Sequence, residues 1–128
     1  MLNSASLVGF IATAHPETAK HFYGAVLGLD LIEDGPFALV FNANGTMLRV
    51  QKVEHYSAPA YTVLGWVVRD IRSTVHDLAT RGVEFQRYDG MPQDEDGIWR
   101  TPNGSSVAWF HDPEGNTLSL LELLAQPA

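Results

Sequence analysis

Cysteine is absent from the 128 residues. That excludes disulfides, thiolate metal sites and a cysteine nucleophile, and leaves the redox compartment undetermined. Long apolar runs are missing too: nothing approaches the roughly 20 residues of a membrane span, so no membrane partner is expected. Met1-Leu2-Asn3-Ser4 carries no basic segment and no apolar signal core, which makes a cytoplasmic location the expectation. Positive charge is scarce. Eight Lys and Arg face 15 Asp and Glu, for a net charge of −7, with no basic cluster to offset it. Such a chain repels phosphate backbones, and no nucleic acid partner is expected. There is no Gly-rich phosphate loop and no Ser nucleophile elbow. The histidines (His15, His21, His55, His76 and His111) show neither the i, i+4 spacing of a helical metal pair nor an i, i+2 spacing on a strand face.

What is present is a globular composition, 45% apolar and 18% charged, in a length that suits one domain over 1–128. Ser6 to Ala12 reads as a first strand. Pro16 suits the first helical position and Glu17 the positive end of the helix dipole. Ala19, Phe22, Tyr23, Val26 and Leu27 follow at helical spacing, and Gly28 is the expected residue just past the helix end. Strands are predicted at Leu29–Glu33, Phe37–Asn42 and Thr46–Val53, with Asn44-Gly45 as a type I′ hairpin turn. After a loop the pattern restarts. Tyr61 to Val68 is an apolar strand, and Asp70 caps a second helix with Ile71, Val75, Leu78 and Ala79 on its buried stripe. Gly82 ends that helix, and Val83 to Tyr88 reads as a strand. Asp89 to Gly97 is an acidic loop, Ile98-Trp99-Arg100 begins a strand, and Pro102-Asn103-Gly104 turns it. Ser106–Phe110 and Thr117–Leu123 form a last hairpin around Asp112-Pro113-Glu114-Gly115-Asn116, where Pro113 presets the turn and Gly115-Asn116 tolerate left-handed backbone.

Each half thus repeats strand, helix, strand, strand, strand, and Gly28 and Gly82 mark the same point in the two copies. A unit that cannot bury its own sheet face must pair with its copy. The duplication, with Phe22-Tyr23 before Val26-Leu27-Gly28, Val68-Arg69-Asp70-Ile71, Arg81-Gly82-Val83 and the Asp112–Asn116 turn, resembles the vicinal oxygen chelate superfamily, which includes glyoxalases, bleomycin-resistance proteins and extradiol dioxygenases. The resemblance implies an α+β fold, with two βαβββ modules (about 5–55 and 60–124) forming an open, curled mixed sheet around a cavity. It also implies a homodimer.

Most members of known chemistry hold a divalent metal on His, Glu or Gln ligands. Carried onto this sequence, the ligand positions fall at or near Val8, Arg49, Val63 and Ser119. Valine has no lone pair, arginine is permanently cationic, and serine is a poor ligand beside imidazole and carboxylate. Only Gln51 and Glu122 offer donors under a shifted register, and Glu122 lies an odd number of residues from Ser119, hence on the other face. The expectation is a member without metal at the usual place and with no cofactor. His15 reads as a cap or loop residue, with a position at the cavity mouth as the alternative. Asp94-Glu95-Asp96 lacks the ligand pattern of a calcium loop and reads as solvated.

Candidate binding residues remain. Strand alternation places Met47, Arg49 and Gln51 on one face. There Arg49 either grips an anionic oxygen in bidentate fashion, makes an internal ion pair with Glu122 or Glu84, or, under a one-residue shift of register, faces outward. Trp66, Trp99 and Trp109 offer aromatic walls, with Trp99 and Trp109 the better lining, while Phe10 and Phe37 read as core. With Ser119 these define the ligand-binding set Arg49, Gln51, Trp66, Trp99, Trp109 and Ser119. Three functions compete. They are a metal-free protein that sequesters or carries a small molecule, a metal-dependent lyase or dioxygenase-type enzyme, and a structural or regulatory module whose cavity is packed shut.

Overall fold

A computed structural model describes residues 1–124 of the chain. They divide into two compact units, Met1–Ser57 and a second beginning at Ala58.

In the first unit, a single turn at Leu2–Ser4 precedes β1 (Val8–Thr13), α1 (Pro16–His21), β2 (Asp30–Asp34), β3 (Ala38–Ala43) and β4 (Thr46–Lys52). The sheet order is β1-β4-β3-β2, with β1 parallel to β4 and the other pairs antiparallel. Asn44 and Gly45 both have positive φ, and Gly45 N–H donates to Asn42 Oδ1, as the predicted I′ turn requires. The first helix departs from its expected form. It ends at His21, and Phe22–Val26 continue as a wider π turn, with Leu27 N–H donating to the Phe22 carbonyl. That turn carries the wholly buried Tyr23 against Phe41 (ring centroids 6.0 Å apart), with Phe22 packed edge-on against Tyr23. Apolar spacing cannot tell the two helix forms apart, because both keep the same stripe on the sheet. Gly28 follows with φ +78°.

In the second unit the order is β5 (Thr62–Val67), α2 (Ile71–Thr80), β6 (Trp99–Arg100), β7 (Ser106–His111) and β8 (Thr117–Glu122), and the sheet runs β5-β8-β7-β6. β5 and β8 are parallel, as β1 and β4 are in the first unit. Asp70 caps α2 by accepting from Ser73 N–H. The strand expected at Val83–Tyr88 does not form. Phe85 makes one bridge to Phe110, Gln86 N–H donates to the Trp109 carbonyl, and Trp99–Arg100 take the rest of that edge of β7. Backbone groups that a ladder would use go instead to one side chain: Gln93 donates to the Gln86 carbonyl and accepts from Tyr88 N–H.

Each sheet buries one face under its helix. In the first unit that face carries Ile11, Leu39, Phe41, Leu48 and Val50, and in the second Ala108, Phe110, Leu118 and Leu120 against Ile71, Val75 and Leu78. Each large side chain so buried contributes about 1.5–3 kcal/mol. No helix among the described residues is long and apolar enough to cross a membrane.

The last hairpin turn is tied together by side-chain hydrogen bonds. Asp112 is buried, and its Oδ1 accepts from the N–H groups of Glu114 and Asn116. Its Oδ2 accepts from Asn116 Nδ2 at 2.8 Å, while Gly115, φ +87°, closes the turn.

Candidate functional site

Directly paired residues share a sheet face, so the register settles which candidates lie together. On the face of the second sheet turned away from α2 stand Trp99 opposite Val107, Trp109 opposite Ser119, and Ser119 opposite Gly65. Gly65 has no side chain, and Ser119 Oγ lies 2.6 Å from where a Cβ there would sit. The hydroxyl thus occupies space that any larger residue at 65 would claim. Trp99 and Trp109 stack, with centroids 6.1 Å apart and planes 28° apart, and Tyr88 meets Trp109 edge-to-face at 5.4 Å.

Trp66 does not join them. It pairs with Leu120, on the helix-covered face, because it lies one residue beyond Gly65 and side chains alternate along β5 there. Trp66 is therefore removed from the candidate site.

Beside Trp109 opens a hollow of about 590 Å³, lined among others by Tyr61, Tyr88, Met91, Trp109, His111 and Thr117. Sequence reasoning missed Tyr61, Tyr88, Met91 and His111. His111 could have been found, since it lies two residues beyond Trp109 on the same strand. Tyr88 and Met91 carried no signal, because their stretch looked like a strand followed by a plain loop.

That loop is held more firmly than a solvated acidic segment. Arg72, from the first turn of α2, bonds Asp94 at 2.8 Å and also bonds Asp96, while Arg87 donates to the carbonyls of Asp94 and Glu95. Asp94 Oδ1 further accepts from the N–H groups of Asp96 and Ile98, and His76 Nε2 lies 3.1 Å from Asp96. Partial burial pushes the Asp94 carboxyl up, but Arg72 and those backbone donors outweigh it and hold it below the usual carboxylate value. Hydrogen bonds from Lys52 and Lys20 lower Asp34 in the first unit likewise. A carboxylate depressed in the folded state stabilises above its unfolded value, about 4, and that contribution disappears as pH falls through the lower folded value. Amide exchange at Asp96 and Ile98, corrected for intrinsic rates, should therefore stay slow at pH 5 and accelerate only once acid has protonated Asp94, below the ordinary carboxylate range. Protection that is already lost at pH 5, or that does not depend on Asp94 in an Asp94→Asn variant, would refute the clamp.

In the first unit, Arg49 and Gln51 alternate with buried Leu48 and Val50, so both point away from α1. The ion-pair partner considered for Arg49 is engaged elsewhere: Glu122 Oε1 accepts from Ile71 N–H at 2.9 Å, on the helix-covered face as its odd spacing from Ser119 requires. Glu84 is exposed.

The metal of the resembled family does not fit these residues. The first unit offers Val8 and Arg49 at the two ligand positions, and the second offers Ser119 and Val63, which falls in the irregular stretch of β5. Two hydrocarbons, a cation and one hydroxyl make no divalent site. Among the described residues, no three His, Asp or Glu side chains gather closely enough to hold a metal ion.

Two four-stranded sheets of the same order, each covered by one helix and each with its first strand parallel to its last, define an α+β protein built from a duplicated βαβββ module. The family model described as "Glyoxalase/Bleomycin resistance protein/Dioxygenase superfamily" matches residues 5–120, and the chain belongs to that superfamily. No curated protein matches the sequence significantly. Among solved structures, a superfamily member from Sphaerobacter thermophilus DSM 20745 superposes with TM-score 0.73 at 22% identity, covering 96% of this chain and 100% of that one. Lactoylglutathione lyase from Agrobacterium tumefaciens gives 0.72 at 18% identity, covering 93% of each chain. TnmS3, an antibiotic binding protein from Streptomyces sp. CB03234, gives 0.70 at 23% identity, covering 95% of this chain and 98% of that one. These likenesses concern the fold.

Proposed function

We propose that this protein binds a small, flat, apolar molecule without a metal, as a sequestering or carrier protein in the manner of bleomycin-resistance proteins. The observation that carries the reading is the hollow beside Trp109, with Tyr61, Tyr88 and Met91 around it and Trp99 bracing the indole from behind. Aromatic walls with a few polar groups at the rim, here His111 and Thr117, suit a planar ligand that buries its faces and makes one or two hydrogen bonds. A fold shared with an antibiotic binding protein agrees with that reading. A metal-dependent lyase or dioxygenase has no support in the donor set.

The direct test is a fluorescence titration of the full chain with a flat heteroaromatic probe such as acridone. Saturable quenching of the tryptophan emission is expected, without any added divalent ion. Binding that appears only after a divalent ion is supplied, or no quenching at all, would overturn the reading.

The proposal includes a homodimer in the cytoplasm. Leu7, Ile32 and Phe37 of the first unit are large apolar side chains left well exposed, which is costly on a lone chain when they gather into a patch. Sedimentation equilibrium should give twice the mass of one chain. A single-chain mass at micromolar concentration would remove the dimer.

A further inference from the structure

The first unit has three Lys or Arg side chains, and two of them are paired. Lys20 and Lys52 both bond Asp34, at 3.2 and 2.6 Å. Arg49 is the exception: no carboxylate of that unit lies within ion-pair distance of its guanidinium, and the residue is half-buried while its charged end still reaches solvent. A guanidinium held open on an apolar face, with no carboxylate beside it, is free to take an anionic partner. Its surroundings on the sheet are apolar. Phe10 stands directly opposite on β1 and Val40 directly opposite on β3, while Val8 pairs with Met47 one step along the same face. Phe10 is 55% exposed, unusual for a phenylalanine at mid-strand. Gln51, two residues on, adds an amide to that face. The acid nearest in register is Glu33, opposite Val40 and so two strands from Arg49, and its carboxylate lies over Gly35.

We infer that this face is a binding site for an amphipathic organic anion, with Arg49 holding the carboxylate and Phe10 covering the apolar body. Charge complementarity selects the occupant: a fixed fork of N–H donors matches a carboxylate in bidentate fashion, and the flanking Phe10, Val8 and Met47 exclude a small hydrated ion as the better fit. Where the resembled family places a metal ligand, this chain places a permanent positive charge, which holds an anionic oxygen without any metal. Its residues all belong to the first unit and those lining the hollow beside Trp109 to the second, so failure of either proposal leaves the other standing.

The test compares 2-naphthoate with its neutral counterpart 2-naphthylmethanol, titrated into the isotopically labelled full chain and followed by amide shifts. The carboxylate should move the amides of Phe10, Val40 and Arg49 and bind at least about tenfold more tightly than the alcohol. Arg49→Met should abolish that difference, with Arg49→Lys intermediate, because lysine keeps the charge but loses the fork. Equal affinity for acid and alcohol in the wild-type chain overturns the inference without any variant. So do amide shifts confined to Tyr88, Trp109 and Thr117. If Arg49→Met instead changes only the sedimentation mass, the face is an interface between two copies and the anion site is wrong.

Discussion

Asp112→Ala should lower stability by about 3–5 kcal/mol, a large part of what a domain of this size possesses. The carboxylate is buried and accepts three hydrogen bonds, from Glu114 N–H, Asn116 N–H and Asn116 Nδ2. Alanine removes all three acceptor contacts and leaves donors around the buried Asn116 with no partner and little water. The loss reaches beyond the turn, because Asp112 N–H and the Asn116 carbonyl close the hairpin whose strands carry Phe110 and Leu118. The thermal midpoint should fall by about 10–20 °C. Asp112→Asn should cost less, since the amide oxygen still accepts. Pro113→Ala changes only the exposed turn position and should stay within about 1 kcal/mol. A drop below 1 kcal/mol for Asp112→Ala would show that the turn relaxes to find other acceptors.

Trp109→Ala is expected to weaken small-molecule binding in the second unit severely. The indole is the shared wall of the aromatic cluster, stacked on Trp99 and met edge-on by Tyr88, and it borders the hollow itself. Central aromatic residues of this kind contribute about 2–4 kcal/mol to an interface, so affinity for a flat probe should fall by roughly 30- to 1,000-fold. Trp99→Ala should have a smaller effect, about tenfold, because Trp99 only braces its neighbour. Isothermal calorimetry with acridone measures both without relying on the deleted fluorophore. Stability has to be checked in parallel, as removing a half-buried indole costs about 2 kcal/mol through lost packing alone. A variant that stays folded and binds acridone as tightly as the parent would move the site away from Trp109.

Much of the fold was legible in the sequence because it is written in local terms. Asn44-Gly45, Gly28 and Gly82 occupy positions that need positive φ, and all three adopt it. Asp70 caps its helix as expected. The candidate site was legible only in part. Alternation correctly placed Arg49 and Gln51 together, and it put Glu122 on the opposite face to Ser119, where it caps α2. Trp66 was grouped with the other tryptophans by residue type alone; it lies one residue beyond Gly65, which pairs with Ser119, and so falls on the helix-covered face. Alternation failed at Val83–Tyr88, whose apolar and polar residues alternate like a strand but whose backbone groups are taken by Gln93 from within the acidic loop.

The sequence by itself determined the duplicated βαβββ plan, the presence of two helices and the cap of the second, the signature hairpin turn, and the absence of metal donors at the resembled ligand positions. Each follows from the chemistry of a residue at its own position or from a period of a few residues. Only the tertiary structure decided which tryptophans share a face, that the acidic loop is clamped by Arg72 and Arg87, and that Arg49 has no carboxylate partner within its unit while Lys20 and Lys52 do. Those outcomes depend on register and on contacts between residues far apart in the chain. A one-residue slip reverses every side chain of a strand, and no local preference is strong enough to forbid it.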